Sequence, residues 1–268
     1  MNPQTLSEQL MFNTVRLVAS DGSTGTGFFY NFRIDDKVIP ILITNKHVVN
    51  NNPNEPMTFY LHLKTGDNES NENYPVQFVA NWIFHSNQDL CFCFVNPLFQ
   101  KVKMITGKEV FYIPIDDSIV ATTQKLNELS ALEELVMVGY PIGLWDSNNN
   151  FPIFRKGYTA SHPALDFNNK GIGLVDMACF PGSSGSPIFI LNELGYADKK
   201  GAYNIASRII FLGVLFAGPQ YNAQGDIVVK TIPTQQQIRA NTPVMTNLGY
   251  YIKSTELEEF KKYISNNI

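Results

Sequence analysis

Apolar residues along this chain gather in short runs separated by clusters of Gly, Pro, Asn, Asp and Ser, which is the pattern of strands joined by turns. It predicts a short helix over 4–10 and a first group of about six strands within residues 13–95. These include Asn13–Ala19, Phe28–Tyr30, Val38–Thr44, Met57–Lys64, Val76–Phe84 and Asp89–Val95. Alternation in Met57–Lys64 puts His62 on the solvent side of its strand. Residues 96–132 are the least legible, with a strand-like Val110–Ile113 and a polar, helix-compatible stretch from Thr122. A second group follows at Leu135–Gly139, Ile153–Ser161, Gly171–Met177, Pro187–Leu191, Arg208–Phe216 and Ile227–Ile232. Glu256–Ile264 reads as a closing helix, with Thr255 and Glu258 as a capping box and Leu257, Phe260 and Ile264 on one face. The expected organisation is all-β in two lobes, residues 1–100 and 101–252, followed by a C-terminal helix in 253–268.

Between two apolar runs lies Phe180-Pro181-Gly182-Ser183-Ser184-Gly185-Ser186-Pro187. Glycines and prolines at this density cannot continue a helix or a central strand, so a tight turn is forced. Such a turn can present the Ser184 hydroxyl as a nucleophile, with the Gly182 and Ser184 N–H groups as oxyanion donors. The bland alternative is a serine-rich surface turn. A nucleophilic serine needs a base, and the chain has four histidines. His47 follows the apolar run Ile39–Ile43 and is placed to face a cleft, whereas His85 and His162 fall in loops. Asp89 opens an apolar, strand-forming run, so its carboxylate lies at the edge of a core and needs a hydrogen-bond donor such as an imidazole N–H. Its plain alternative is an ordinary turn aspartate.

The order His47, Asp89, Ser184 is that of chymotrypsin. Together with GTGFFY (25–30), ILITNKHVV (41–49), QDLCFCFV (88–95), LVMVGYPIGL (135–144), VDMACFPGSSGSP (175–187) and FLGVLFAG (211–218), it resembles the chymotrypsin-like serine peptidases, most closely the bacterial HtrA-type branch. The resemblance implies two six-stranded Greek-key barrels and a serine endopeptidase acting through an acyl-enzyme. His47 is then the base, Asp89 its orienting partner, Ser184 the nucleophile, and the Gly182 and Ser184 amides the oxyanion hole. It further implies that the backbone of Leu215, Phe216 and Ala217 pairs with an extended substrate. The specificity pocket would be walled by Ala178, Cys179, Val214 and Leu215, with a third wall near 225–228. Ala178 stands where trypsin has its selecting aspartate, so a small or medium aliphatic residue is expected at the cleaved position. Asp226 would reverse this if it pointed inward. Two departures stand out: Ser183 where the digestive enzymes carry aspartate, and Ser186 where the pattern has glycine. Residues 192–206 are longer than the family's hairpin there, and no PDZ-like domain fits after 252.

Composition agrees with a turn-rich β protein: 44% hydrophobic residues, 18 glycines and 15 prolines in 268 residues. A net charge of −4 offers no basic field, so nucleic acid is not an expected partner. The three cysteines, at 91, 93 and 179, make no zinc pattern and read as reduced thiols. The first residues lack a secretion signal, and no long apolar stretch predicts a membrane partner. The expectation is a cytoplasmic bacterial protein that needs no cofactor or metal and takes protein or peptide substrates. Two other readings stay open. One is a catalytically quiet module that holds peptides in the same cleft. The other is a peptidase gated by an activating protein partner, as an effector of bacterial stress or phage defence.

Overall fold

The computed structural model describes residues 1–226 and 239–267, with residues 220–226 and 239–245 as backbone strands only. The chain begins with α1 (Leu6–Met11), opened by a reciprocal cap in which Thr5 accepts from the Glu8 N–H and the Glu8 carboxylate accepts from the Thr5 N–H. Then come β1 (Thr14–Ala19), β2 (Thr24–Ile34), β3 (Lys37–Thr44), β4 (Pro56–Leu63), β5 (Glu72–Val79), β6 (Ile83–Phe84) and β7 (Cys91–Phe94). They form one antiparallel path in the order β5-β4-β1-β2-β3-β7-β6. The helix α2 (Asn96–Thr106) follows, and then β8 (Val110–Phe111) pairs with β4 and β9 (Ile115–Asp116) runs parallel to β2. The first lobe thus holds nine strands where about six were expected, and its sheet continues past residue 100.

Past the short α3 (Thr123–Glu128), the second lobe is built from β10 (Glu134–Gly139), β11 (Ile153–Thr159), β12 (Ile172–Asp176) and β13 (Pro187–Asn192). The small hairpin β14 (Tyr196–Ala197) and β15 (Tyr203–Asn204) occupies the polar stretch after β13. Next are β16 (Arg208–Ala217), the paired β17 (Gln220–Asp226) and β18 (Arg239–Met245), and β19 (Leu248–Lys253). Six of these close a barrel in the order β10-β11-β12-β19-β16-β13. A 3₁₀ turn at Ser254–Leu257 leads into α4 (Glu258–Asn267). The mostly-β, chymotrypsin-like class with a C-terminal helix therefore holds, while the strand expected over 227–232 lies outside the described residues.

Four local expectations are corrected. α2 was not anticipated: Pro97 opens it, Leu98 and Val102 bury one turn apart, and Gly107 closes it at φ 71°. The strand expected from Val76 instead starts at Glu72 and ends at Val79, its register fixed by Leu63↔Glu72 and Pro56↔Val79 against β4. His62 faces inward, 5% exposed, its ring edge-to-face with Phe12 at 4.7 Å. Thr255 caps no α-helix, since it lies inside the 3₁₀ turn that precedes α4, although Leu257, Phe260 and Ile264 are buried together as the spacing required.

Each lobe has its own core, one around Leu17, Phe59 and Trp82, the other around Leu135, Met137 and Ile190. A third cluster crosses the seam, joining Phe28 and Phe92 of the first sheet to Phe189 and Phe211 of the barrel and to Phe260 of α4. Burying such aromatic surface is the main force holding lobe on lobe. Among the described residues, no helix is long and apolar enough to cross a membrane.

Candidate active site

β3 runs buried to Thr44, and the chain then turns into a one-turn 3₁₀ helix, His47–Val49. Val48 and Val49 anchor that turn in the core, and a Cβ at Gly25 would lie 2.5 Å from Val48 Cγ1, so β2 must carry glycine there. His47 is left at the surface, its side chain 42% exposed against 29% for Asp89. Asp89 grips it twice: Oδ1 accepts the His47 backbone N–H at 3.2 Å, and Oδ2 meets Nδ1 at 2.5 Å. A carboxylate at Nδ1 holds the proton there and leaves the Nε2 lone pair outward as a base. Asn45 Nδ2 donates to the Asp89 carbonyl at 2.7 Å and fixes the carboxylate's backbone.

The loop before Asp89 is tied down by α4 and by the second lobe. Ser86 donates from its N–H and Oγ to the Glu259 carboxylate at 2.6 and 2.7 Å, and Gln88 Nε2 donates to the Lys170 carbonyl at 2.9 Å. His85 is buried and its Nδ1 accepts the N–H groups of Asn87 and Gln88. Its Nε2 therefore carries the proton and donates to the Glu256 carbonyl at 3.2 Å. His85 thus shapes the loop that delivers Asp89. His162 does the same locally, accepting the Ala164 N–H.

The turn carrying Ser184 is specified residue by residue. Ser183 N–H donates to the Phe180 carbonyl at 3.0 Å, closing a β-turn with Pro181 and Gly182 at its centre. Gly182 sits at φ +84°, the value that makes this a type II turn. A Cβ there would lie 2.6 Å from the Tyr140 carbonyl, so glycine is required by conformation and by space. Gly185 at φ +83° is tighter still, its Cβ position 1.9 Å from the Thr26 carbonyl. Among the described residues the N–H groups of Gly182 and Ser184 donate to nothing, which leaves two main-chain donors of this turn open. No described hydrogen bond joins Ser184 Oγ to the His47 ring.

Thr26, which the sequence reading did not single out, joins the two halves. Its N–H donates to the Ser184 carbonyl at 2.9 Å and its Oγ1 to the Gly182 carbonyl at 3.2 Å. Its own carbonyl accepts from Thr44 Oγ1 at 2.7 Å, and its Oγ1 accepts the Tyr140 N–H at 3.1 Å. Thr44 stands three positions before His47, so a single residue of β2 connects the turn of Ser184 with the strand that delivers His47. The only hint in the sequence was a threonine between two glycines, Gly25 and Gly27. Ser186 Oγ donates to the same Thr26 Oγ1 at 3.3 Å, which gives the serine at that position a partner glycine could not have.

Of the expected pocket residues, Cys179, Val214 and Leu215 are buried in the cores, while Ala178, Phe216 and Ala217 are half-buried. Burial pushes the Cys179 thiol up to about 11. Leu215 donates its N–H to the Ser186 carbonyl at 3.0 Å and accepts the Gly185 N–H at 2.9 Å. Its backbone therefore braces the turn that carries Ser184. The register against β19 slips between Leu215 and Ala217, leaving Phe216 out of the ladder. Asp226 ends β17, and residues 227–228 of the third wall lie outside the described residues. No three His, Cys, Asp or Glu side chains cluster to hold a metal ion among the described residues.

The sequence model of the family described as a trypsin-like peptidase domain matches residues 25–195, more than half of the chain and inclusive of His47, Asp89 and Ser184. No curated protein sequence matches. Solved structures of similar shape include a thermostable serine protease, AL20, from an extremophilic microorganism, at 9% identity and TM-score 0.47, covering 98% of this chain and 100% of that one. A scabies mite inactivated protease paralogue is similar at 9% identity and TM-score 0.46, with 97% of each chain covered.

Proposed function

Since the chain belongs to the trypsin-like peptidase domain family, we propose that it is a serine endopeptidase whose triad is His47, Asp89 and Ser184. The observation that supports this most directly is the double hold of Asp89 on His47, through the ring Nδ1 and the backbone N–H. A merely structural turn has no need of a surface imidazole fixed in one tautomer. In the reaction, His47 Nε2 takes the Ser184 hydroxyl proton as Oγ attacks the scissile carbonyl. The Gly182 and Ser184 amides receive the oxyanion, and the imidazolium, held by Asp89, returns the proton to the leaving amine. Water then attacks the acyl-enzyme by the same path in reverse, with His47 again as base. The substrate is a protein or peptide laid along the half-buried Phe216–Ala217 segment.

One observation favours a second reading, a cleft that binds peptides without cutting them: Ser184 Oγ and His47 are not hydrogen-bonded. Such bonds commonly tighten only when substrate binds, so the first reading stands as the conclusion. A fluorophosphonate probe decides between them, because it reacts only with an activated serine. Labelling of the wild-type protein, lost in Ser184→Ala with the thermal unfolding midpoint unchanged, is the expected result. A wild type that binds peptide but takes no label, alone or with cell extract, would establish the binding module instead.

A further inference from the structure

Beneath the nucleophile turn lies a cation that the triad does not account for. Arg155, on β11, sends Nη1 to Ser183 Oγ at 2.6 Å and to the Ala178 carbonyl at 3.0 Å. Ser183 is fully buried, and its Oγ also accepts the Phe180 N–H at 3.3 Å, so the hydroxyl ties together both ends of the Phe180–Ser183 turn. The Arg155 Nε and Nη2 atoms are buried without any hydrogen-bond partner, and no carboxylate pairs with the guanidinium among the described residues. Desolvation lowers its pKa to about 10. Arg155 is half-buried as a residue, but a cation with two donor atoms shut off from water and no counter-charge opposes folding. Its presence beside the nucleophile therefore calls for a reason other than stability.

Resting on the peptidase reading above, we propose that Arg155 is a positioning residue that locks the oxyanion turn in its open form from within the barrel. The lock works from two sides. Arg155 clamps Ser183 and Ala178 below, while above them the Ile142 N–H donates to the Pro181 carbonyl at 2.5 Å. With that carbonyl held away, the Gly182 amide points into the cleft. The cation comes from β11, a strand of the closed barrel, so the second lobe supplies this part of the turn's hold.

The test compares Arg155→Met, Arg155→Lys and Ser183→Ala in the full chain. Three readouts serve: thermal unfolding, amide hydrogen exchange of peptides spanning residues 178–186, and kcat and KM on a peptide substrate. The expected result for Arg155→Met is an unfolding midpoint equal to or above wild type. Exchange in the 180–183 turn should quicken at least tenfold, and kcat should fall about 100-fold, the scale of losing one oxyanion donor, with KM little changed. Ser183→Ala should follow it, and Arg155→Lys should recover part of both exchange protection and kcat. Unchanged exchange protection in Arg155→Met overturns the proposal, whatever the activity. So does a parallel loss of cooperative unfolding in the Met and Lys variants, which would mark the residue as a simple core element. If wild type itself takes no fluorophosphonate label, the peptidase reading fails, and the exchange comparison still decides the lock on its own.

Discussion

A single side chain can have its role set by what surrounds it, and the four histidines divide on that basis. His47 lies at the surface with a carboxylate on Nδ1, whereas His62 lies among Phe12 and Phe151 with Nε2 unpartnered. Burial lowers the pKa of His62 from 6.5 to about 4. The unfolded chain therefore takes up a proton before the folded one does. The stability this residue contributes is complete above pH ~6.5 and is lost as pH falls from there toward ~4, reaching about 3 kcal/mol in all. Between pH 7 and 5 the loss is about 2 kcal/mol. Urea unfolding at those two pH values should show His62→Phe, which keeps the aromatic contacts, losing about 2 kcal/mol less than wild type. An equal loss in both proteins would show that the buried imidazole is not the acid-sensitive group. The alternation of Met57–Lys64 pointed His62 outward because period two alone cannot say that both faces of β4 are covered, one by the lobe's core and the other by Phe12 and Phe151. Ser184, His47 and Asp89 could be singled out as candidates since each sits at a sharp change between apolar run and polar turn, and the structure shows the contact of His47 with Asp89. Arg155 and Thr26 were not, because an arginine or threonine inside a strand gives no local signal of what it touches across more than twenty residues of chain.

Elements were legible in proportion to their length. β3, β10, β13 and β16 carry enough consecutive apolar residues to be found, β6 and β8 fall inside longer stretches read as strand, and β9, two residues long, falls below any periodicity. α2 escaped for a related reason, since it buries only Leu98 and Val102 and the rest of its surface reads as polar linker. The 3₁₀ corner Pro141–Gly143 is an element of another kind, held by geometry that sequence disfavours. Ile142 has φ +52°, a left-handed value that is costly for a β-branched residue, by about 1–2 kcal/mol. The corner persists because its N–H holds the Pro181 carbonyl and because the neighbouring Trp145 ring stacks on the Arg16 guanidinium, 4.9 Å from its centroid. The Ile142 side chain is 68% exposed, so little burial is lost when it is removed. Ile142→Gly should then raise stability by about 1 kcal/mol after glycine's own chain entropy is subtracted, and raise the melting temperature by about 2–4 °C. Its N–H is retained, so peptidase activity should stay within a few-fold of wild type. A lowered melting temperature in calorimetry would show that the side chain packs more than its exposure suggests.

The proposed triad requires its two lobes to be held in register, since His47 and Asp89 come from the first and Ser184 from the second. The aromatic cluster of Phe28, Phe92, Phe189, Phe211 and Phe260 supplies adhesion, but apolar contact has no direction and cannot set a nucleophile against its base. Direction comes from polar groups that cross the seam, and Thr26 concentrates them. Its hydroxyl donates to the Gly182 carbonyl and accepts the Tyr140 N–H, while its backbone serves Ser184 and Thr44. Thr26→Val keeps shape and volume and removes only the hydroxyl, so the Gly182 carbonyl, the Tyr140 N–H and the Ser186 hydroxyl all lose their Thr26 partner in a buried site. Each orphaned group costs about 1–3 kcal/mol, so unfolding free energy should fall by about 2–4 kcal/mol. The same change frees the Gly182 peptide that carries the proposed oxyanion donor, and kcat should drop about tenfold or more while KM moves less. Thr26→Ser, which restores the hydroxyl and loses only a methyl, should return most of both. If Thr26→Val weakens folding but leaves kcat untouched, the seam contact is structural alone and the turn is positioned by the second lobe without help from the first.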